Sequence, residues 1–277
     1  MKRILTIQDV SGVGKCSLTV ALPIISAAQV EACVLPTAVL STHTRFKHFT
    51  FADLTDEIEP TVEVWQKEGI TFDAIYTGYL GSYRQMGLVE NLIDAFHTKD
   101  NFIFIDPVLG DAGTLYARFD QSFVDRMALF CSKGDVITPN LTEAAFMLHL
   151  PYRESGYDEA YVHDMLRRLT ALGSSVAVLK GIDYGDGKLG VVGYDSRSDD
   201  FFSYFHEKFP GRYHGTGDIF ASAVVAAMAR DRSIPEAFQI AADFTVDSIR
   251  KTRENPDACD YGVEFERALP DFVAKFK

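Results

Sequence analysis

Gly215-Thr216-Gly217-Asp218 sets two glycines and an acid at the head of a run, IFASAVVAAMA, in which Phe220, Val224 and Ala227 recur at helical spacing. Backbone N–H groups at a helix start, aided by the positive end of its dipole, bind anions, and glycine lets an anion come close. An acid in the first turn is also ordinary dipole complementarity. A plain helix start, however, needs one good cap rather than two glycines around a threonine. The pattern suits an anion cradle with a base beside it. In phosphoryl transfer such an Asp takes the proton of an acceptor hydroxyl, while the N–H groups stabilise charge on the transferred group.

The elements that must position such a site are legible as an alternation. Short apolar runs (ILTI at 4–7, ACVLPT at 32–37, DAIYTG at 73–78, FIFIDP at 102–107, DVITPN at 135–140, VAVLKG at 176–181) are separated by amphipathic stretches such as EIEPTVEVWQKE and DEAYVHDMLRRLTALG. Strands apolar on both faces and separated by helices predict an α/β fold, with a central, mostly parallel sheet flanked by helices on both faces. LGVVGYD and DFFSYFHEKF follow without a helix and predict a late hairpin or antiparallel edge. No repeat or linker marks a boundary, so residues 1–277 are expected to form one domain. In such sheets ligands gather at the carboxyl ends of strands. There the sequence has Gln8-Asp9, Thr77-Gly78-Tyr79, Asp106-Pro107, Thr138-Pro139-Asn140 and Lys180-Gly181, residue types that also favour turns for local reasons.

A net charge of -12 without a Lys/Arg block argues against nucleic acid and membrane partners. The four cysteines show no CxxC pair and no zinc-type spacing, which reads as reduced thiols in a cytoplasmic protein. MKRILTIQDV passes straight into polar residues and is expected to be neither a signal peptide nor a membrane span.

The stretch QDVSGVGKCS, residues 8–17, is not a Walker A loop. Asp9 stands where the first glycine is required, and Cys16 where a magnesium-binding hydroxyl should be. It also misses the dinucleotide fingerprint, because Ser17 occupies the third glycine position. Backbone close to Ser11, Gly12 and Gly14 with a carboxylate at Asp9 suits a small polar ring better than a triphosphate. The first helix is expected near Lys15, with Pro23 bending or interrupting it.

HGTGD (214–218), together with STHT (41–44), TGYLGS (77–82), DPVLGD (106–111) and TPNLTE (138–143), resembles the pyridoxal/pyridoxamine kinase branch of the ribokinase-like superfamily, over nearly the whole chain. The resemblance implies a three-layer ribokinase-like fold without a separate lid domain, and a homodimer. It implies an ATP-dependent kinase for the 5'-hydroxymethyl group of vitamin B6 vitamers, using Mg2+ with ATP and often a monovalent cation, K+ or Na+. By matching position, Asp218 is the general base, and Gly215, Thr216 and Gly217 form the anion hole. Asp106 and Glu143 belong to the magnesium and phosphate network. Thr138, Asn140, Lys180, Thr216 and Gly217 meet ATP, and Asp9, Ser11, Gly12, His43, Thr44 and Tyr79 lie on the substrate side. Asn140 and Glu143 also read as an N-x-x-E capping box. The Gly-rich GIDYGDGKLG, 181–190, is the candidate flap over ATP.

Asp9-Val10-Ser11-Gly12 is similar instead to the start of hydroxymethylpyrimidine kinases, a sister branch that usually carries Cys at the position of Asp218. Two alternatives therefore stay open beside a B6 kinase: a pyrimidine kinase of thiamin synthesis and a catalytically silent vitamin-binding protein.

Overall fold

A strand apolar on both faces must be covered on both sides, and the first strand shows this directly: Ile4, Leu5, Thr6, Ile7 and Gln8 are all fully buried. The computed structural model describes residues 1–44, 46–211 and 213–277. Its elements in chain order are β1 (Arg3–Val13), α1 (Leu18–Ala27), β2 (Glu31–Thr42), β3 (Phe51–Asp53), α2 (Thr55–Lys67), β4 (Ala74–Thr77), α3 (Tyr83–Phe96), β5 (Phe102–Ile105), β6 (Gly110–Asp111), β7 (Thr114–Leu115), α4 (Gln121–Cys131), β8 (Val136–Ile137), α5 (Leu141–Met147), α6 (Glu159–Thr170), β9 (Val176–Ile182), β10 (Lys188–Asp195), β11 (Asp200–Glu207), α7 (Thr216–Ala229), α8 (Ile234–Arg253), a 3-10 turn at Phe265–Arg267, and α9 (Leu269–Ala274). They gather into two compact units: Met1–Gly78 with Thr98–Asn101 and Gly211–Lys277, and Tyr79–His97 with Phe102–Pro210.

In the first unit the strand order is β4-β1-β2-β3. β1 runs parallel to β4 and β2, and β3 adds antiparallel to the edge. α7 is apolar nearly all round, and Ala221, Ser222, Ala223, Ala226 and Ala227 are fully buried. A helix of this kind is a core helix, and its small side chains let neighbouring backbone approach closely.

Two expectations for this unit need correction. The stretch read as a loop is strand as far as Val13, because Val10, Ser11 and Val13 pair with Val39, Leu40 and Thr42 of β2 after a register shift. The helix therefore starts at Leu18, not near Lys15. Pro23 lies inside a continuous α1, where the burial of Leu18, Val20, Ala21, Ile24 and Ile25 outweighs the missing N–H.

The second unit orders its strands β11-β10-β9-β8-β5. β5, β8 and β9 are parallel, and the expected late hairpin is present as β10 and β11, antiparallel to each other and to β9. β8 is only two residues long, yet both are buried. Its helices begin on side-chain caps: Ser82 accepts from Gln85 N–H, Asp120 from Phe123 and Asp158 from Tyr161. The proposed flap is the β9–β10 hairpin connection. Asp183 there pairs with Lys208 at 2.7 Å, and its N–H donates to the Tyr157 hydroxyl at 3.0 Å.

Candidate active site

The two glycines of the GTGD motif have different reasons to be glycine. Gly215 caps α7 in the left-handed region (φ 76°), and a Cβ placed on it would stand 1.8 Å from the Lys15 carbonyl oxygen. It is therefore required by the fold. Gly217 does not have a positive φ, and a Cβ there would meet no described atom within 4 Å. Gly217 is exposed, and among the described residues nothing crowds its Cβ position, which leaves room for an anion beside the helix start. Thr216 Oγ1 donates to the Tyr213 carbonyl at 3.0 Å, which fixes the turn.

Asp218, the third residue of α7, accepts through Oδ2 from the Ser17 N–H at 2.9 Å. Ser17 is the N-cap of α1, so the carboxylate sits at the amino ends of two helices, where negative charge is favoured. Ser17 Oγ in turn donates to Asp9 Oδ1 at 2.7 Å, and Ser11 Oγ to Asp9 Oδ2 at 3.1 Å. Asp9, Ser11 and Ser17 are buried. The structure thus brings Asp9, Ser11 and Asp218 together around Ser17, a residue that sequence reasoning passed over. Its partners lie 8 and 201 positions away, a separation that carries no local signal.

Cys16 stands in the same cluster. Burial first, and then the Asp218 and Asp9 carboxylates, push its thiol up to about 12. The folded value lies above the unfolded one, so this contribution to stability is present below about pH 8.5 and is lost as pH climbs toward 12. At pH 8 the site holds roughly 10³-fold less thiolate than an ordinary cysteine. Iodoacetamide is therefore expected to leave Cys16 unmodified while the protein is native and to label it on unfolding, as read by peptide mass spectrometry. Rapid labelling of the native protein would contradict this environment.

The remaining substrate-side residues are less concentrated. A Cβ on Gly12 would lie 3.1 Å from the Ser41 carbonyl, and one on Gly14 2.4 Å from the His43 ring, so the strand end and the STHT segment are in close contact. His43 donates through Nε2 to the Tyr261 carbonyl at 3.0 Å, with its ring 5.0 Å from Phe46. Thr44 is exposed. Tyr79 belongs to the second unit, where its ring is 5.7 Å from Phe119. Residues near the C-terminus, absent from the sequence reading, hold the opening stretch. Lys15 Nζ reaches both Glu266 carboxylate oxygens at 2.5 and 2.6 Å, and lies 5.3 Å from the Phe265 ring centre.

The second unit carries the other predicted group. Asp106, 2% exposed after β5, accepts from Lys180 Nζ at 2.5 Å and from Thr138 Oγ1 at 3.2 Å. Within the protein this buried carboxylate is paired with Lys180. Asn140 and Glu143 form the capping box read from the sequence: Asn140 Oδ1 accepts from Glu143 N–H at 2.9 Å, and Glu143 Oε2 from Asn140 N–H at 2.7 Å. Leu109 N–H donates to Glu143 Oε1 at 3.1 Å, and Asn140 Nδ2 to the Gly110 carbonyl at 2.8 Å. Burial pushes the Glu143 carboxyl up to about 8, Lys180 opposes the rise, and Asp106 adds to it. Asn140, Lys180, Tyr157 and Lys208 border a cavity of about 200 Å³ in this unit. A larger hollow of about 550 Å³ beside Met1, Gln29 and Arg230 contains none of the predicted residues.

Among the described residues no group of three or more His, Cys, Asp or Glu side chains is disposed to hold a metal ion. Asp106 and Glu143 supply hard carboxylate oxygens, but both Glu143 oxygens already accept backbone N–H groups. The donor set fits a Mg2+ that arrives on nucleotide phosphates and keeps most of its water, and does not fit a resident metal.

Comparison with known proteins agrees with this architecture. Residues 21–260 match the family model for phosphomethylpyrimidine kinase. A Bacteroides thetaiotaomicron protein described as a phosphomethylpyrimidine kinase and solved in a form with pyridoxal superposes with a TM-score of 0.92 at 38% identity, covering 98% of this chain and 95% of that one. The pyridoxal kinase of Lactobacillus plantarum superposes with a TM-score of 0.90 at 28% identity, covering 99% and 98%. A hydroxymethylpyrimidine/phosphomethylpyrimidine kinase of Bacillus subtilis is 27% identical over 67% of this chain and 66% of its own length. A Saccharomyces cerevisiae relative is 28% identical over 72% and 65%. The chain thus spans just under two thirds of the length of these two relatives.

Proposed function

Because the chain belongs to the phosphomethylpyrimidine kinase family and has a ribokinase-like α/β fold, we propose that it is an ATP-dependent kinase that phosphorylates the 5'-hydroxymethyl group of pyridoxal, pyridoxine and pyridoxamine, with residues 1–277 working as one kinase domain. The observation that carries this is the helix start at Gly217, uncrowded by any described residue, with the Asp218 carboxylate one residue on. Asp218 takes the proton of the acceptor hydroxyl as its oxygen attacks the γ-phosphorus, and ADP leaves. The N–H groups of Gly215, Thr216 and Gly217 receive the charge that develops on the transferred group. Asp106, Glu143 and Lys180, with Thr138 and Asn140 alongside, serve the nucleotide side. Asp106 and, through water, Glu143 would hold a Mg2+ that arrives with ATP, which would offset phosphate charge there.

The B6 reading is supported by two solved structures, a pyridoxal kinase and a protein described as a phosphomethylpyrimidine kinase that was solved with pyridoxal. Asp9 places a carboxylate on the acceptor side, where it favours the protonated ring nitrogen of a pyridine or accepts from an amino group. The same feature supports a second reading, a hydroxymethylpyrimidine acceptor, in line with the Bacillus subtilis relative. Magnesium-dependent phosphorylation of all three vitamers and hydroxymethylpyrimidine, compared as kcat/KM, separates them. The vitamers are expected to lead by at least about tenfold, roughly 1.4 kcal/mol of transition-state binding. Preference for the pyrimidine would overturn the B6 assignment, and turnover of none would favour a vitamin-binding protein. A homodimer is the expected assembly. Val13, Val39, Phe49 and Phe51 leave an apolar fringe of the first unit 42–48% exposed, and the mass in solution decides the matter.

A further inference from the structure

Ser17 departs from two local rules at once. An N-cap serine ordinarily accepts from an N–H of its own helix, but α1 receives no side-chain cap from Ser17. Ser17 also adopts φ 51° and ψ -135°, a left-handed conformation for which glycine is the default residue. Both departures serve the same pair of contacts. With its backbone turned this way, Ser17 gives its N–H to Asp218 at 2.9 Å and its hydroxyl to Asp9 at 2.7 Å, and the residue is 6% exposed. Glycine would relieve the backbone but lose the hydroxyl, and a larger side chain would add strain at this φ.

We infer that Ser17 is a positioning residue that ties the acceptor-side carboxylate Asp9 to the base Asp218, so that the acceptor's ring and its hydroxyl are held in one fixed relation. This rests on the kinase reading above. Asp9 is held on both oxygens by hydroxyls, Ser11 on one and Ser17 on the other. Of these two, it is Ser17 that also donates to Asp218, through its N–H. Its role is therefore distinct from that of Ser11, which orients Asp9 alone. Because the acceptor aligns on a carboxylate that Ser17 orients, loss of the hydroxyl should be felt in acceptor binding and in the rate of transfer, and not in ATP binding.

The test is a steady-state comparison of the parent with Ser17→Gly, Ser17→Ala, Asp9→Ala and the Asp9→Ala/Ser17→Gly double variant, with melting temperatures for each. Ser17→Gly is expected to keep the parent's melting temperature within about 3 °C, since relief of the positive φ offsets the lost hydrogen bond. It should raise the acceptor KM and lower kcat by about tenfold each, with ATP KM unchanged. Ser17→Ala should show the same kinetic split at a lower melting temperature. The double variant should lose no more acceptor kcat/KM than Asp9→Ala alone, because the hydroxyl acts through Asp9. A Ser17→Gly enzyme with the parent's acceptor KM overturns the inference. So does a loss shared equally with ATP KM, or factors that multiply in the double variant. A parent protein that phosphorylates no acceptor removes the kinase reading and the inference with it. That outcome is distinct from an active parent that Ser17→Gly merely equals.

Discussion

Asp218→Asn is expected to phosphorylate pyridoxal at least about 10³-fold more slowly than the parent, while melting within about 3 °C of it. The amide has the shape of the carboxylate, and its oxygen still accepts the Ser17 N–H that Asp218 accepts at 2.9 Å. What it lacks is the capacity to take a proton from the acceptor hydroxyl. The loss of negative charge at the amino ends of α1 and α7 costs about 1 kcal/mol, small beside the stability of a chain this size. Binding should survive, so the acceptor and ATP KM values are expected to stay within a few-fold of the parent while kcat collapses. A variant turning over at the parental rate would show that Asp218 is not the base. A variant that no longer melts cooperatively would show instead that the carboxylate holds the first unit together.

The second large effect separates the two glycines. Gly215→Ala places a methyl group 1.8 Å from a main-chain oxygen, at a φ of 76°. Backbone must move, and with the left-handed penalty the expected destabilisation is about 3–5 kcal/mol, a fall in melting temperature of roughly 6–15 °C. Gly217→Ala meets no described neighbour. In a helix interior alanine exceeds glycine by up to about 1 kcal/mol, so this protein should be as stable as the parent or slightly more so. Its activity should nonetheless fall about 10²-fold, because the methyl group fills the space in which the transferred phosphoryl group must sit. Thermal melts and kcat measured on both variants give opposite orders. If Gly217→Ala were fully active, the cradle assigned to the start of α7 would be wrong.

The residues that were legible in the sequence are those whose partners are near in the chain. The Asn140–Glu143 box was readable because a capping interaction spans three residues. The start of α7 was readable because a helix and its cap are adjacent, and the strand cores because burial on both faces leaves unbroken apolar runs. The extension of β1 to Val13 was not. Gly12 and Gly14 read locally as a turn, whereas pairing with β2 supplies a ladder that no propensity contains. Pro23 does not interrupt α1 for the same reason: five buried side chains outweigh one absent hydrogen bond. Asp106 was read as part of a magnesium and phosphate network, and its ion-pair partner in the fold, Lys180, is 74 residues away. Ser17 carried no local signal at all, because its hydrogen bonds reach residues 8 and 201 positions distant.

Those separations also set an order of events during synthesis. The second unit draws on residues 79–97 and 102–210, so all of its sequence has been made by the time residue 210 leaves the ribosome. The first unit must wait. Ser17 needs Asp218, Lys15 needs Glu266 at a separation of 251, and Lys2 needs Asp231 at 229. Residues 1–78 therefore remain without their α7 partner until residues 216–229 have been made, and the loop closure that joins them is a long one. β1 and α1, whose apolar faces are then uncovered, are the segments that a nascent-chain chaperone would meet for longest.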